Sequence, residues 1–98
     1  MVLLAVLRLS DGAYGSAVRS EIEAQAGVPA SRGAVYITLD RLERKGLLRS
    51  WMADGSAERG GRPRRYYEPQ PAALVALRDS RRALLRMWEG IEPEPGEA

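Results

Sequence analysis

The sequence predicts a mainly α-helical fold with one small β-hairpin, in the order α-α-α-β-β-α. Three observations predict it. Apolar residues recur at helical spacing in several separate stretches, each stopped by glycine or proline. Before the last of these stretches the pattern changes to short apolar and aromatic runs around a glycine-rich segment, as a hairpin requires. The chain has 98 residues, which favours one domain with a modest core that a second subunit would help to complete.

The first helix is expected over residues 2–9. Val2, Leu3, Leu4, Val6, Leu7 and Leu9 make it apolar nearly all round, so it needs cover on several sides. The last helix or a second copy of the chain can supply that cover, and Leu3 and Leu7 are assigned to the surface between copies. Ser10-Asp11-Gly12 stops the helix. The run is too short to span a bilayer, and Arg8 interrupts it without a basic leader. It therefore reads as a buried helix, with no membrane partner expected.

A second helix is expected over residues 13–25, with Tyr14, Val18, Ile22 and Ala26 as its apolar stripe and Gly27 and Pro29 as its stop. Ser31 is the candidate N-cap of a third helix over 32–45. Val35, Leu39 and Leu42 give that helix its inward face. Arg41, Arg44 and Lys45 lie outside, gathered where the helix dipole favours cations. Gly46 is expected to end it in a left-handed conformation. Helix, short turn, helix is a helix-turn-helix candidate.

Leu47 to Met52 and Arg64 to Glu68 are the two strand candidates, joined by a loop from Ala53 to Gly61 that holds Gly55, Gly60 and Gly61. Pro63 cannot donate to a ladder and suits a strand's first residue or an edge. Pro69 and Pro71 separate the hairpin from a last helix over 72–90. There Leu74, Leu77, Leu84 and Trp88 form a heptad-like seam, with Arg81 filling its gap and Leu85 widening it. The whole is a winged helix-turn-helix: residues 1–69 as the winged-helix domain, 70–91 as a dimerisation helix, and 92–98, with Pro93 and Pro95, as a disordered tail. The dimerisation residues expected are Leu3, Leu7, Leu74, Leu77, Leu84, Leu85 and Trp88.

Composition narrows the function. Histidine and cysteine are both absent, which removes imidazole bases, thiolate nucleophiles, disulfides and the usual zinc ligands. The lack of disulfides suits the cytoplasm. No P-loop or dinucleotide-binding glycine pattern occurs, and Gly60-Gly61-Arg62 sits in a hairpin tip rather than between a strand and a helix. Asp40 and Glu43 alternate with Arg41 and Arg44 and read as intrahelical ion pairs. No catalysis, cofactor or metal is expected; an enzyme here would have to work with carboxylates and arginines alone.

The net charge of +2 is small, but its distribution is uneven. Arg59, Arg62, Arg64 and Arg65 cluster around the hairpin, and Glu89, Glu92, Glu94 and Glu97 load the other end. A recognition helix fits the major groove of B-DNA, and hairpin arginines reach phosphates or the minor groove beside it. Double-stranded DNA is therefore the expected partner. On the third helix, Ser31, Arg32 and Ala34 lie at the N-terminal end, with Arg32 and Thr38 as base-edge candidates and Arg41 as a phosphate candidate. Tyr36 points outward and suits a phosphate oxygen. In the wing, Arg62 and Arg64 lead as phosphate contacts. Arg65 ranks below them, since neighbours along a strand face opposite ways.

The run from Arg32 to Leu48, with Tyr36 at its centre, closely resembles the recognition-helix signature of PadR-family transcriptional regulators. Leu9 to Gly15 resembles that family's turn into its second helix, and Gly60 to Glu68 resembles its wing. The resemblance covers about residues 3–90. It implies a winged-helix domain, a C-terminal dimerisation helix, and repression of transcription by a homodimer, often relieved by a small-molecule effector, here placed at the dimer interface. Tyr36 matches a tyrosine that commonly touches the DNA backbone in the family, and Arg62 and Arg64 match basic wing positions. Ile37 departs from the pattern, as many members carry proline there. The alternative function is a winged-helix module that binds another protein and no DNA. It would need an apolar exposed face on the third helix, where this sequence puts Tyr36, Arg41 and Arg44.

Overall fold

In the computed structural model, which describes residues 1–53 and 63–91, every expected element forms in the expected order. They are α1 (Val2–Leu9), a 3-10 turn (Ser10–Gly12), α2 (Gly15–Ala26), α3 (Arg32–Arg44), β1 (Leu48–Ala53), β2 (Arg64–Pro69) and α4 (Pro71–Trp88). The hairpin tip with Arg59 and Arg62, and the tail expected to be disordered over 92–98, lie outside the described residues.

The apolar surface of α1 is divided between two neighbours. Val2, Leu3, Ala5 and Val6 are buried in the core against α2 and α3, whereas Leu4 is exposed. Leu3, expected at the surface between copies, is only 7% exposed in the single chain. The stripe it shares with Val2 and Val6 is the one the chain covers for itself, so a partner has little of it left to bury. Leu7 is half-buried and opens on the side of α4.

α2 begins later than the periodicity suggests. Tyr14 is extended, with φ −121° and ψ 163°, and bridges Tyr66 in antiparallel fashion. The Ala13 carbonyl accepts the Tyr67 N–H at 2.8 Å. Residues 13 and 14 thus add a short third segment to the hairpin, and the buried stripe of α2 reduces to Gly15, Val18 and Ile22, with Ala26 exposed.

The turn into α3 is held from both ends by Glu23. Its carbonyl accepts the N–H of Gly27, whose φ of 70° needs a glycine, and its carboxylate accepts the Ala30 N–H at 3.1 Å. Ser31 caps α3 as expected, its Oγ accepting the Ala34 N–H at 3.1 Å. Val35 and Leu39 are buried, and Gly46 ends the helix at φ 78°.

β1 and β2 pair antiparallel from Leu48 opposite Pro69 to Ala53 opposite Arg64. Alternation sorts their side chains onto two faces. Leu48, Ser50, Met52, Arg65 and Tyr67 share one face, whose inner end, Leu48 and Tyr67, is buried. Arg49, Trp51, Arg64, Tyr66 and Glu68 share the other. There Tyr66 meets Tyr14 edge-on and stacks with Trp51, and Arg49 pairs with Glu68. α4 starts on Pro71, where a missing N–H costs nothing. It is anchored by the buried Ala73 and by Leu77, which packs against the core. Beyond Leu77 the helix is exposed along its length.

Candidate nucleic-acid interface

At about 100° per residue, the helical geometry gives α3 an inner stripe, two flanks and an outer ridge. Val35, Leu39 and the half-buried Leu42 form the inner stripe. One flank carries Arg32, Tyr36 and Glu43 and faces the hairpin; the other carries Ala34, Thr38 and Arg41. The ridge opposite the core holds Gly33, Ile37, Asp40 and Arg44, all exposed.

Tyr36 is 40% exposed, and its phenol lies across the first residue of α2. A Cβ placed on Gly15 would come within 2.2 Å of the Tyr36 hydroxyl oxygen and 2.3 Å of Cζ. Glycine is therefore the one residue that lets the ring occupy this seat. The Arg32 guanidinium lies over the ring, 5.8 Å from its centroid. Tyr36 is thus held by backbone below and a cation over it, with its hydroxyl at the N-terminal end of α2.

Across from Tyr36 stands Arg65. Both line one open groove, together with Ile37, Asp40, Glu43 and Tyr67. Arg65 Nη1 donates to Ser50 Oγ at 2.9 Å, and Ser50 Oγ donates to Glu43 Oε2 at 2.7 Å. This chain of bonds ties the wing strand to α3 and fixes the arginine relative to the helix. The acids of the groove are already engaged, Glu43 by Ser50 and Asp40 by Arg44 at 3.2 Å, and among the described residues Arg65 has no carboxylate in salt-bridge contact. Burial pushes the Tyr67 phenol above its ordinary 10.0; nearby Arg65 pulls it down, and Glu43 and Asp40 push it further up. Tyr67 is accordingly a neutral group at the floor of the groove.

The remaining expected site residues fall as follows. Ser31 and Ala34 are joined to each other in the N-cap, both exposed. Thr38 is half-buried on the far flank. Arg41 is exposed and, among the described residues, in no salt bridge. Sequence alternation ranked Arg64 above Arg65, and the two do lie on opposite faces, but it is Arg65 that shares the groove with Tyr36. Arg64 is half-buried, with its guanidinium 4.0 Å from the centroid of the Tyr14 ring. Arg62 lies outside the described residues. Gly15, Ser50 and Glu43, which position the groove, were not singled out as site residues. Each acts through a partner on another element, and the periodicity of a single element does not encode that.

The expected seam of α4 lies open. Leu74, Leu84, Leu85 and Trp88 are each at least 50% exposed, and with Leu77 they line a groove shared with Leu4 and Leu7 of α1. Among the described residues no helix is long and apolar enough to cross a membrane.

A helix-turn-helix followed by a two-stranded wing and a further helix defines the winged helix-turn-helix class, and comparison with known proteins agrees with it. The model of the transcriptional regulator PadR-like family matches residues 3–72. The chain belongs to that family of transcriptional regulators. Its structure is similar to the crystal structure of a PadR family transcriptional regulator from Eggerthella lenta DSM 2243, with 30% identity and a TM-score of 0.75, covering 92% of this chain and 76% of that one. It also shares its fold with a PadR family transcription regulator from hypervirulent Clostridium difficile R20291, at 23% identity and a TM-score of 0.69, covering 89% and 91% of the two chains. Comparison with curated proteins finds no match.

Proposed function

We propose that the protein is a cytoplasmic repressor without catalytic activity that binds a near-palindromic operator as a homodimer. In this reading residues 1–69 form the DNA-binding domain and α4 joins two copies. α3 enters the major groove, and the wing and Tyr36 hold the backbone on either side. The observation that carries the reading is the shared groove: Tyr36 from α3 and Arg65 from the wing sit on one side of the molecule, both solvent-facing. Arg32, Arg41 and Arg44 are exposed around the same helix, so the surface offered to a polyanion is cationic and its carboxylates have partners of their own. Ser31 and Ala34 are at the helix end that would approach the bases, and Thr38 reaches them only from the flank. Arg64, seated on Tyr14, braces the wing strand, and Arg62 is assigned with the wing to the phosphates. Two such surfaces, related by the open seam of Leu7, Leu74, Leu77, Leu84, Leu85 and Trp88, would meet successive turns of one DNA face. An effector, if the regulator answers to one, is placed against that same seam.

The test is a gel shift with a duplex from upstream of the protein's own gene, across a series of salt concentrations. A retarded complex that weakens steeply as salt rises is expected, because arginines on phosphates displace counterions. Failure to retard that duplex or any member of a random duplex pool would remove DNA from the account and leave the protein-binding winged helix.

A further inference from the structure

Ile37 is the odd residue on the outer ridge of α3. It is 62% exposed, and the buried stripe of Val35 and Leu39 lies on the opposite side of the helix. Its neighbours on the ridge are polar or absent. Asp40 and Arg44 form an ion pair toward the C-terminal end. One turn toward the N-terminus is Gly33, where a Cβ would meet nothing nearer than the Ser31 hydroxyl at 3.9 Å. Side chains on a helix lean toward its N-terminus, so the ground in front of Ile37 is bare. A branched aliphatic side chain therefore stands proud at the centre of a surface ringed by Arg32, Arg41, Arg44 and, across the groove, Arg65.

Burial within the chain does not explain this position. Helix propensity does not explain it either, because β-branched residues lose side-chain freedom in a helix. The major groove of DNA, however, presents one apolar feature on its base edges, the C5-methyl of thymine, which aliphatic side chains contact. We infer that Ile37 is a specificity-determining residue that selects a thymine in each half-site by packing on its C5-methyl group. The inference rests on the DNA-binding reading above and adds to it the chemical group being read. The cationic surroundings set the occupant as duplex DNA: an apolar protein partner would desolvate Arg32, Arg41 and Arg65, which among the described residues have no salt-bridge partner.

The test uses the full chain and DNA made for the purpose. A pool of randomised duplexes is selected with the wild-type protein to define a half-site. Each thymine of that half-site is then replaced by deoxyuridine, which pairs identically and lacks only the methyl. Wild type is expected to lose about fourfold in affinity per half-site at one thymine, the fold-change matching one buried methyl. I37A is expected to bind the thymine and deoxyuridine duplexes equally, with its helical circular dichroism unchanged. Thymine sensitivity that is the same in wild type and I37A at every position overturns the assignment while leaving DNA binding intact. A wild-type protein that enriches no duplex overturns the DNA-binding reading itself, and the two failures are thus told apart.

Discussion

At the scale of single residues the site depends on what is missing at Gly15. Helix propensity alone favours alanine there, by roughly 1 kcal/mol over glycine. The steric contact argues the other way: a methyl at 2.2 Å from the Tyr36 oxygen must push the ring off its seat or part α2 from α3. The atoms in the way are the far end of one exposed side chain, which can swing aside at small cost, so the two effects on stability largely offset each other. Gly15→Ala is therefore expected to change the urea midpoint little and to weaken DNA binding by about tenfold, as Tyr36 moves. Adding Tyr36→Ala removes the clash, so the double variant should be more stable than the sum of the two single changes. A Gly15→Ala protein more stable than wild type, with binding intact, would show that the ring has room to spare. This contact also marks where sequence reading runs out. Tyr36 was legible as an outward residue of an amphipathic helix, but the glycine that seats it lies on another element. Ile37 was legible only as an apolar residue off the buried stripe, and its place on the ridge emerges once Val35 and Leu39 are fixed inward.

At the scale of elements the wing is positioned by side-chain bonds. The hairpin's inner end is buried through Leu48 and Tyr67, but further out it reaches α3 through Arg65, Ser50 and Glu43. If Arg65 neutralises a phosphate, its removal should subtract about one unit from the slope of log affinity against log salt. Arg65→Ala is expected to do this with binding weakened uniformly across duplex sequences, since phosphate contacts carry no base information. Anisotropy titrations over several salt concentrations measure the slope, and an unchanged slope would return Arg65 to a purely structural bond with Ser50. The elements themselves were almost fully legible, because the helix stops are written locally: Gly27 and Gly46 in left-handed turns, Ser31 as a cap, Pro71 at a helix start. The other ends shift by at most two residues, and the late start of α2 has a long-range cause. Tyr14 keeps helical spacing with Val18 and Ile22, yet the N–H of Tyr67 takes the Ala13 carbonyl and holds that segment extended. A period counted along the chain cannot register a bond to a strand dozens of residues away. Which of Arg64 and Arg65 joins the groove with Tyr36 was hidden for a similar reason. Alternation gives two faces, and only the packing of Tyr67 against the core says which face meets α3.

At the scale of the whole molecule the question is what α4 is for. The radius of gyration is 16.0 Å, larger than the roughly 13 Å of a compact chain near this length. The difference is consistent with a helix of 18 residues that is buried only near its start. An arm that exposes Leu74, Leu84, Leu85 and Trp88 along one side, beside the exposed Leu4, offers a continuous apolar strip of the sort that monomers seldom leave in water. A second copy can cover it through the same patch on both sides, as a two-fold axis requires. Leu84→Glu places a carboxylate in the middle of that contact, where a desolvated and unpaired charge is strongly unfavourable. Because Leu84 is 58% exposed in the single chain, the change should leave the winged-helix core folded. Sedimentation equilibrium is expected to find dimer for wild type and monomer for L84E at the same micromolar concentration. The consequence for function follows from linkage. Two half-sites bound by one tethered pair gain an effective local concentration that independent monomers lack, so L84E should lose roughly 10²-fold or more in affinity for a two-half-site duplex. Its affinity for a single half-site should change little, which separates loss of pairing from loss of the DNA surface. A wild-type protein that sediments as a monomer with its seam still solvent-exposed would dismiss α4 as the dimerisation helix.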